Sequence, residues 1–142
     1  MIVLDTDVLS ALMRWEANPS VTDWINRQDP AHLWLTVISI HEVAFGIERM
    51  PAGKRKSGLE GRFGVVLSRL GHQVLHLDSE AAKRAAKCRA LAERTLGYCE
   101  VPDCLIAGIA SAQGASVATR NVSHFEHFGV PLVNPWTTFG SG

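Results

Sequence analysis

The chain has 142 residues, 46% hydrophobic and 20% charged, with fourteen basic side chains against fourteen acidic ones. That length and balance exclude an intrinsically disordered chain and leave room for one domain with one core. Zero net charge excludes a basic coat for indiscriminate nucleic-acid binding, while allowing local basic patches beside an acidic pocket.

Ile2-Val3-Leu4 is a short apolar, β-branched run and reads as a buried parallel strand. Asp5-Thr6-Asp7 supplies turn and capping side chains, and Val8 to Arg14 continues as a helix. Asn18-Pro19-Ser20 opens a second helix, to about Asn26, and Leu33-Trp34-Leu35-Thr36 is the second strand. Ser39 is read as the cap of a third helix, with Glu42 three residues on in the capping-box position. Pro51-Ala52-Gly53 breaks that helix after Met50, and Lys54 to Leu70 is helical with glycine interruptions.

Val74 to Leu77 is the third strand. Asp78-Ser79 caps a long helix from Glu80 to Leu96, which Gly97 closes. Pro102 suits the first turn of the next helix, running to Gln113 before Gly114. Ser116 to Thr119 is the fourth strand, and Val130 to Val133 a short edge strand that tolerates Pro131. Strands alternating with helices imply the α/β class: one α/β/α domain around a central parallel sheet. Its expected extent is 1–139, with a small flexible tail at 140–142.

The three cysteines, Cys88, Cys99 and Cys104, include no CxxC pair, and are expected as reduced thiols in a cytoplasmic protein. The N-terminus has no basic stretch before a long apolar run, so neither a leader nor a membrane span is expected. His124 and His127 have an HxxH spacing, but two histidines alone are a weak zinc signal and read as loop residues.

In open parallel sheets, ligands bind beyond the carboxyl ends of the strands. Asp5 follows the first strand, Glu42 lies just after the second, and Asn121 just after the fourth. Asp103 sits at the start of the helix before the fourth strand. Singly, each acid reads as a cap or a favourable charge at a helix start. If strands one, two and four are neighbours, the acids converge. Clustered carboxylates then need a neutraliser, and a hard divalent cation, Mg²⁺ or Mn²⁺, is the simplest.

These residues resemble the PIN-domain nucleases, and within them the VapC/FitB-type toxins. Ile2-Val3-Leu4-Asp5-Thr6-Asp7-Val8-Leu9-Ser10 resembles the opening motif, and Ser39-Ile40-His41-Glu42-Val43-Ala44-Phe45-Gly46 the second. Pro102-Asp103-Cys104-Leu105-Ile106-Ala107-Gly108-Ile109-Ala110 resembles the third, and Val117-Ala118-Thr119-Arg120-Asn121-Val122-Ser123-His124-Phe125 the fourth. A closing Asn134-Pro135-Trp136 also resembles such toxins. The four motifs fall in order along the whole chain.

The resemblance implies a PIN-like fold and a metal-dependent endoribonuclease that leaves a 3′-hydroxyl and a 5′-phosphate, acting as the toxin of a type II toxin–antitoxin pair. It implies Asp5, Glu42, Asp103 and Asn121 as the catalytic set, with Asp5 and Asp103 as direct metal ligands. Thr6, Asp7, Arg14, Ser39, Thr119 and Arg120 are the surrounding or substrate-facing residues. Implied partners are RNA, a cognate antitoxin and a second copy of the chain, with no membrane. Two positions depart from the family pattern: Asp7 stands where Asn is usual, and His124 where Asp is frequent. Asp7 is therefore read as a helix cap beside the site.

Two alternatives remain open from sequence. Leu4-Asp5-Thr6-Asp7-Val8 also matches the opening of haloacid-dehalogenase-like phosphatases, although no lysine or aspartate follows Thr119 as that family requires. A degenerate PIN module could bind RNA or protein without cutting. Among the basic side chains, Arg14 and Arg120 flank the motifs and are the expected RNA contacts. Lys54, Arg55 and Lys56, and Lys83, Lys87 and Arg94, read equally well as solvated helix faces.

Overall fold

The computed structural model describes residues 1–137, so the tail expected at 140–142 lies outside the described residues. The chain begins with β1 (Ile2–Leu4), α1 (Thr6–Leu12), α2 (Pro19–Arg27) and β2 (Leu33–Thr36). α3 (Val37–Glu48), α4 (Lys54–Leu70) and β3 (Val74–Leu75) follow. The remainder is α5 (Ser79–Leu96), α6 (Val101–Gln113), β4 (Ser116–Ala118), α7 (Val122–Phe125) and β5 (Leu132–Val133).

The five strands form one sheet in the order β3-β2-β1-β4-β5, and every pairing is parallel. β1 is central, with β2 and β4 as its neighbours, which meets the condition for the acids to converge. The chain winds outward from β1 in one direction through β2 and β3, and in the other through β4 and β5. The carboxyl end of β1 is therefore the topological switch point, where such sheets bind ligands.

Helices cover both faces. On one, Leu4, Leu9, Val21, Leu33, Leu35 and Leu70 form a core beneath α1 to α4. On the other, Val3, Ile106, Ile109, Val117 and Phe125 form a second core under α5 to α7. Alternate side chains of β1 feed opposite cores, Val3 one and Leu4 the other, both fully buried. Gly108 lets α6 close on α5: a Cβ there would stand 2.6 Å from the carbonyl oxygen of Ala81 and from Ala85. That close approach fixes the height of α6, and hence of Asp103 on its first turn.

Several local expectations change. Ser39 is not the cap of α3. Thr36 is, and its hydroxyl accepts from the Ser39 backbone N–H at 3.1 Å. Both residues can cap, and the earlier one prevails because the helix begins directly after β2. The third strand is two residues long, not four, and the last is confined to Leu132 and Val133. The expectation of free thiols fails for one pair: Cys99 and Cys104 form a disulfide, leaving buried Cys88 as the free cysteine. The loop between α5 and α6 turns Cys99 back onto the first turns of α6, a proximity no CxxC spacing signals. Among the described residues, no helix is long and apolar enough to cross a membrane.

Candidate active site

Asp5 ends β1 and caps α1. Its backbone N–H donates to the Ala118 carbonyl at 2.9 Å, continuing the β1–β4 ladder one residue past the strand. Its Oδ1 accepts from the Thr6 backbone N–H at 2.7 Å, and its Oδ2 accepts from the Thr119 hydroxyl at 2.7 Å. The capping role read from sequence is therefore real, and it coexists with placement in the cluster. Asp5 is only 2% exposed. Burial, and next the neighbouring Asp7 carboxylate, push its pKa up to about 8 from 3.8.

Asp7 does not act as a cap. Its Oδ2 crosses to accept from the Arg120 backbone N–H at 3.1 Å, and its Oδ1 is buried without a hydrogen-bond partner. Burial also raises its pKa. Asp103, on the first turn of α6, is raised by burial too, and restrained by His124, whose Nδ1 lies 2.9 Å from its Oδ2. Glu42 projects from α3, and its Oε1 accepts from the Thr6 hydroxyl at 2.9 Å. That hydroxyl also lies 3.1 Å from Ser39 Oγ, which is fully buried. Thr119 is fully buried as well, and its Oγ1 accepts from the Asn121 backbone N–H at 3.0 Å. One hydroxyl thus ties Asp5 to the loop that carries Asn121.

These side chains share one open pocket of about 450 Å³, lined by Asp5, Thr6, Asp7, Arg14, Glu42, Asp103, Arg120 and Asn121, with Ser10, Asn18 and Trp136 on its walls. Every residue expected at the site is in this lining except Ser39 and Thr119, which sit one layer behind it. The other basic clusters, Lys54 to Lys56 and Lys83 to Arg94, are absent from it. Sequence reasoning did not assign Asn18 to the site, and it singled out Trp136 only as the end of the closing motif and as one of four tryptophans able to stack bases. Asn18 carries no chemical signal, being a turn residue whose amide donates to the Arg14 carbonyl. His124 was read as a loop residue and as a departure from the family pattern, and neither reading anticipates its contact with Asp103.

Among the described residues, no three Asp, Glu, His or Cys side chains close around one point tightly enough to hold an ion unaided. The donor set still fits a hydrated Mg²⁺. That ion takes one or two carboxylates, keeps several waters and accepts substrate oxygens, all from hard oxygen donors. The unpartnered buried Oδ1 of Asp7 and the upward shifts of Asp5, Asp7 and Asp103 mark a cluster with too much negative charge and too few donors.

The PIN domain family model matches residues 2–130. The chain is 40% identical over 137 residues to the VapC ribonuclease Y4jK of Sinorhizobium fredii, covering 96% of this chain and 98% of that protein. It is 39% identical to the plasmid stability protein StbB of Pseudomonas syringae pv. tomato, over 96% and 99% of the two chains. Among solved structures, FitAcB from Neisseria gonorrhoeae superposes with a TM-score of 0.86 at 29% identity, covering 96% of this chain and 99% of that one. The phosphatase alternative is set aside by these matches. Motif order, strand order and whole-length similarity agree, and the chain belongs to the PIN-domain family, in its VapC/FitB-type group.

Proposed function

We propose that this chain is a metal-dependent endoribonuclease, the toxin of a type II toxin–antitoxin pair. The observation that carries the reading is the convergence of Asp5, Asp7, Glu42 and Asp103 on one pocket at the switch point, with a buried carboxylate oxygen left unpartnered. Relatives named as a VapC ribonuclease and as the toxin FitB, matched over nearly the whole chain, support it.

Asp5 and Asp103 would hold the ion, with Asn121 contributing through an amide oxygen or a bound water. A bound Mg²⁺ or Mn²⁺ would supply Lewis-acid polarisation of the phosphodiester and a water of lowered pKa. Thr119 and the Thr6 amide fix both oxygens of Asp5, so its carboxylate meets substrate in one orientation. Glu42, aimed by the Thr6 hydroxyl and in the same pocket lining, would take the proton of the attacking water. His124 holds Asp103 in place. Arg14 and Arg120 are the pocket's cationic side chains and offset the repulsion between an acidic pocket and an RNA backbone.

A cognate antitoxin and a second copy of the chain complete the proposal. One solved relative is described as FitAB bound to a DNA fragment, and a sequence relative is named the toxin FitB. An apolar groove of about 710 Å³ between α1, α2 and α4, with Leu12, Trp15, Ile25 and Val65 on its walls, supplies a surface suited to a partner. Asn121, a neutral amide in the acidic set, and His124, standing where Asp is frequent, keep a non-cleaving RNA-binding module as the second reading.

The test is cleavage of mixed cellular RNA by purified protein, with 5′-end sequencing of the products. Parent protein with Mg²⁺ or Mn²⁺ is expected to cut, EDTA to stop it, and Asp5→Asn or Asp103→Asn to abolish it while the fold survives. No metal-dependent cut by the parent, with RNA still bound, would leave the non-cleaving module. Full cleavage by both variants would remove the site.

A further inference from the structure

We propose that Trp136 and Arg120 form a nucleotide shelf on the rim of the acid pocket, which takes one unpaired RNA base on the indole and the adjoining phosphate on the guanidinium. The inference rests on the ribonuclease reading and extends it to the form of RNA accepted.

Trp136 is the only one of the four tryptophans in the lining of this pocket. Trp24 is buried, Trp34 packs against the α5–α7 core, and exposed Trp15 lines the separate apolar groove. Trp136 is held from behind. Its backbone N–H donates to Asn134 Oδ1 at 2.9 Å, Pro135 beside it is buried, and the ring packs against the α1–α4 core. It nevertheless remains partly exposed. A ring fixed in this way loses little freedom on binding.

The Arg120 guanidinium lies 5.1 Å from the indole centroid, so the ring already serves as a platform for a flat, π-seeking group. Arg120 is anchored at its own backbone, where its N–H donates to Asp7. Shelf and acids are therefore locked in one register. They also share one end of the sheet, since Arg120 follows β4 and Trp136 follows the adjacent β5.

Energetics explain why such a shelf is needed. Asp5, Asp7, Glu42 and Asp103 repel a polyanion, and only Arg14 and Arg120 in the lining answer them. Stacking supplies attraction that carries no charge, and every base offers a π-face. An entering base takes over the place of the guanidinium above the indole, and Arg120 turns to the adjoining phosphate. A base inside a duplex cannot do this, so the shelf selects single strands, loops and bulges over continuous helix.

The experiment measures binding in EDTA, where cleavage is absent. The probes are a short fluorescein-labelled RNA of mixed sequence, single-stranded, and the same sequence annealed to its complement. Trp136→Ala is expected to weaken single-strand binding about tenfold, within the usual worth of one stacked base. Trp136→Phe, which keeps an aromatic face and the packing behind it, should recover most of the loss. Arg120→Ala should weaken binding and lower the slope of log K against log salt by about 0.7, the value of one phosphate contact on a single strand. Duplex binding should be weaker in the parent and indifferent to Trp136→Ala.

The shelf is refuted if Trp136→Ala binds the single strand like the parent, or if Trp136→Phe and Trp136→Ala lose affinity equally for both RNAs, which marks a structural role. Cleavage of the single strand by the parent in Mg²⁺ separates the two readings. Binding with the expected Trp136 pattern but no cleavage upholds the shelf and rejects the ribonuclease. Cleavage without any Trp136 effect does the reverse.

Discussion

Replacing Asp5 by Asn should stabilise the metal-free protein, and by an amount that depends on pH. Asp5 is 2% exposed, with a pKa pushed up from 3.8 to about 8. An acid whose folded pKa is raised keeps its proton in the folded state while the unfolded chain has lost it. Stability is then fully present below about pH 4 and declines as pH rises towards 8. At about 1.4 kcal/mol per pKa unit, holding Asp5 ionised at pH 8 costs on the order of 5 kcal/mol at most, with Asp7 sharing in it. Asn avoids that cost and keeps both contacts. Its oxygen accepts from the Thr6 N–H, and its amide donates to the Thr119 hydroxyl, which has lone pairs to receive it.

For a domain of this size, 1 kcal/mol moves Tm by roughly 2–4 °C. In EDTA, parent and Asp5→Asn should melt close together near pH 4.5. By pH 8 the variant should lie higher by several degrees and up to about 20 °C. Thermal melts followed by circular dichroism from pH 4.5 to 8.5 measure this directly. Adding Mg²⁺ at pH 8 should raise the parent's Tm and leave the variant's nearly unmoved. A Tm difference that stays constant with pH, or a parent more stable than the variant at pH 8 in EDTA, would refute the reasoning.

Asn121→Asp adds a charged oxygen donor to the pocket and should lower the Mg²⁺ concentration for half-maximal cleavage several-fold, read from a Mg²⁺ titration. Asp7→Asn removes the second-largest cause of the upward shift on Asp5, so carbon-13 NMR of the Asp5 carboxyl should find its titration moved to lower pH. Gly108→Ala would ordinarily stabilise a helix interior by about 1 kcal/mol. Here its Cβ meets the Ala81 carbonyl oxygen at 2.6 Å, so overpacking prevails and urea unfolding should show a net loss of about 1–3 kcal/mol.

The parallel architecture was legible because its signals are local: apolar β-branched runs at Ile2–Leu4, Leu33–Thr36 and Ser116–Ala118, separated by helices with recognisable starts. Placing Asp5, Glu42 and Asp103 together needed one further step, that β2 and β4 flank β1, and the motif order carried it. What escaped depends on long-range or competing geometry. Thr36 and Ser39 are equally good caps in sequence, and only the abrupt passage from β2 into α3 decides between them. Asp7 reads as a cap, yet Asp5 takes that position and the backbone N–H of Arg120, 113 residues away, captures the Asp7 side chain. Cys99 and Cys104 meet only because the loop before α6 folds back, and Trp136 reaches the pocket only because β5 lies beside β4.

The pairing of β1 with β4 also sets the timing of activity during synthesis. Asp5 is made before its partner Thr119 and the Ala118 carbonyl, which come 114 and 113 residues later. Until that stretch has left the ribosome, the centre of the sheet lacks a neighbour on one side and the acid pocket lacks a wall. At roughly 5–20 residues per second, this leaves several seconds in which the nascent chain has its first acids and no assembled site. The acid pocket is thus completed only once β4 has joined β1, however early its first acids are made.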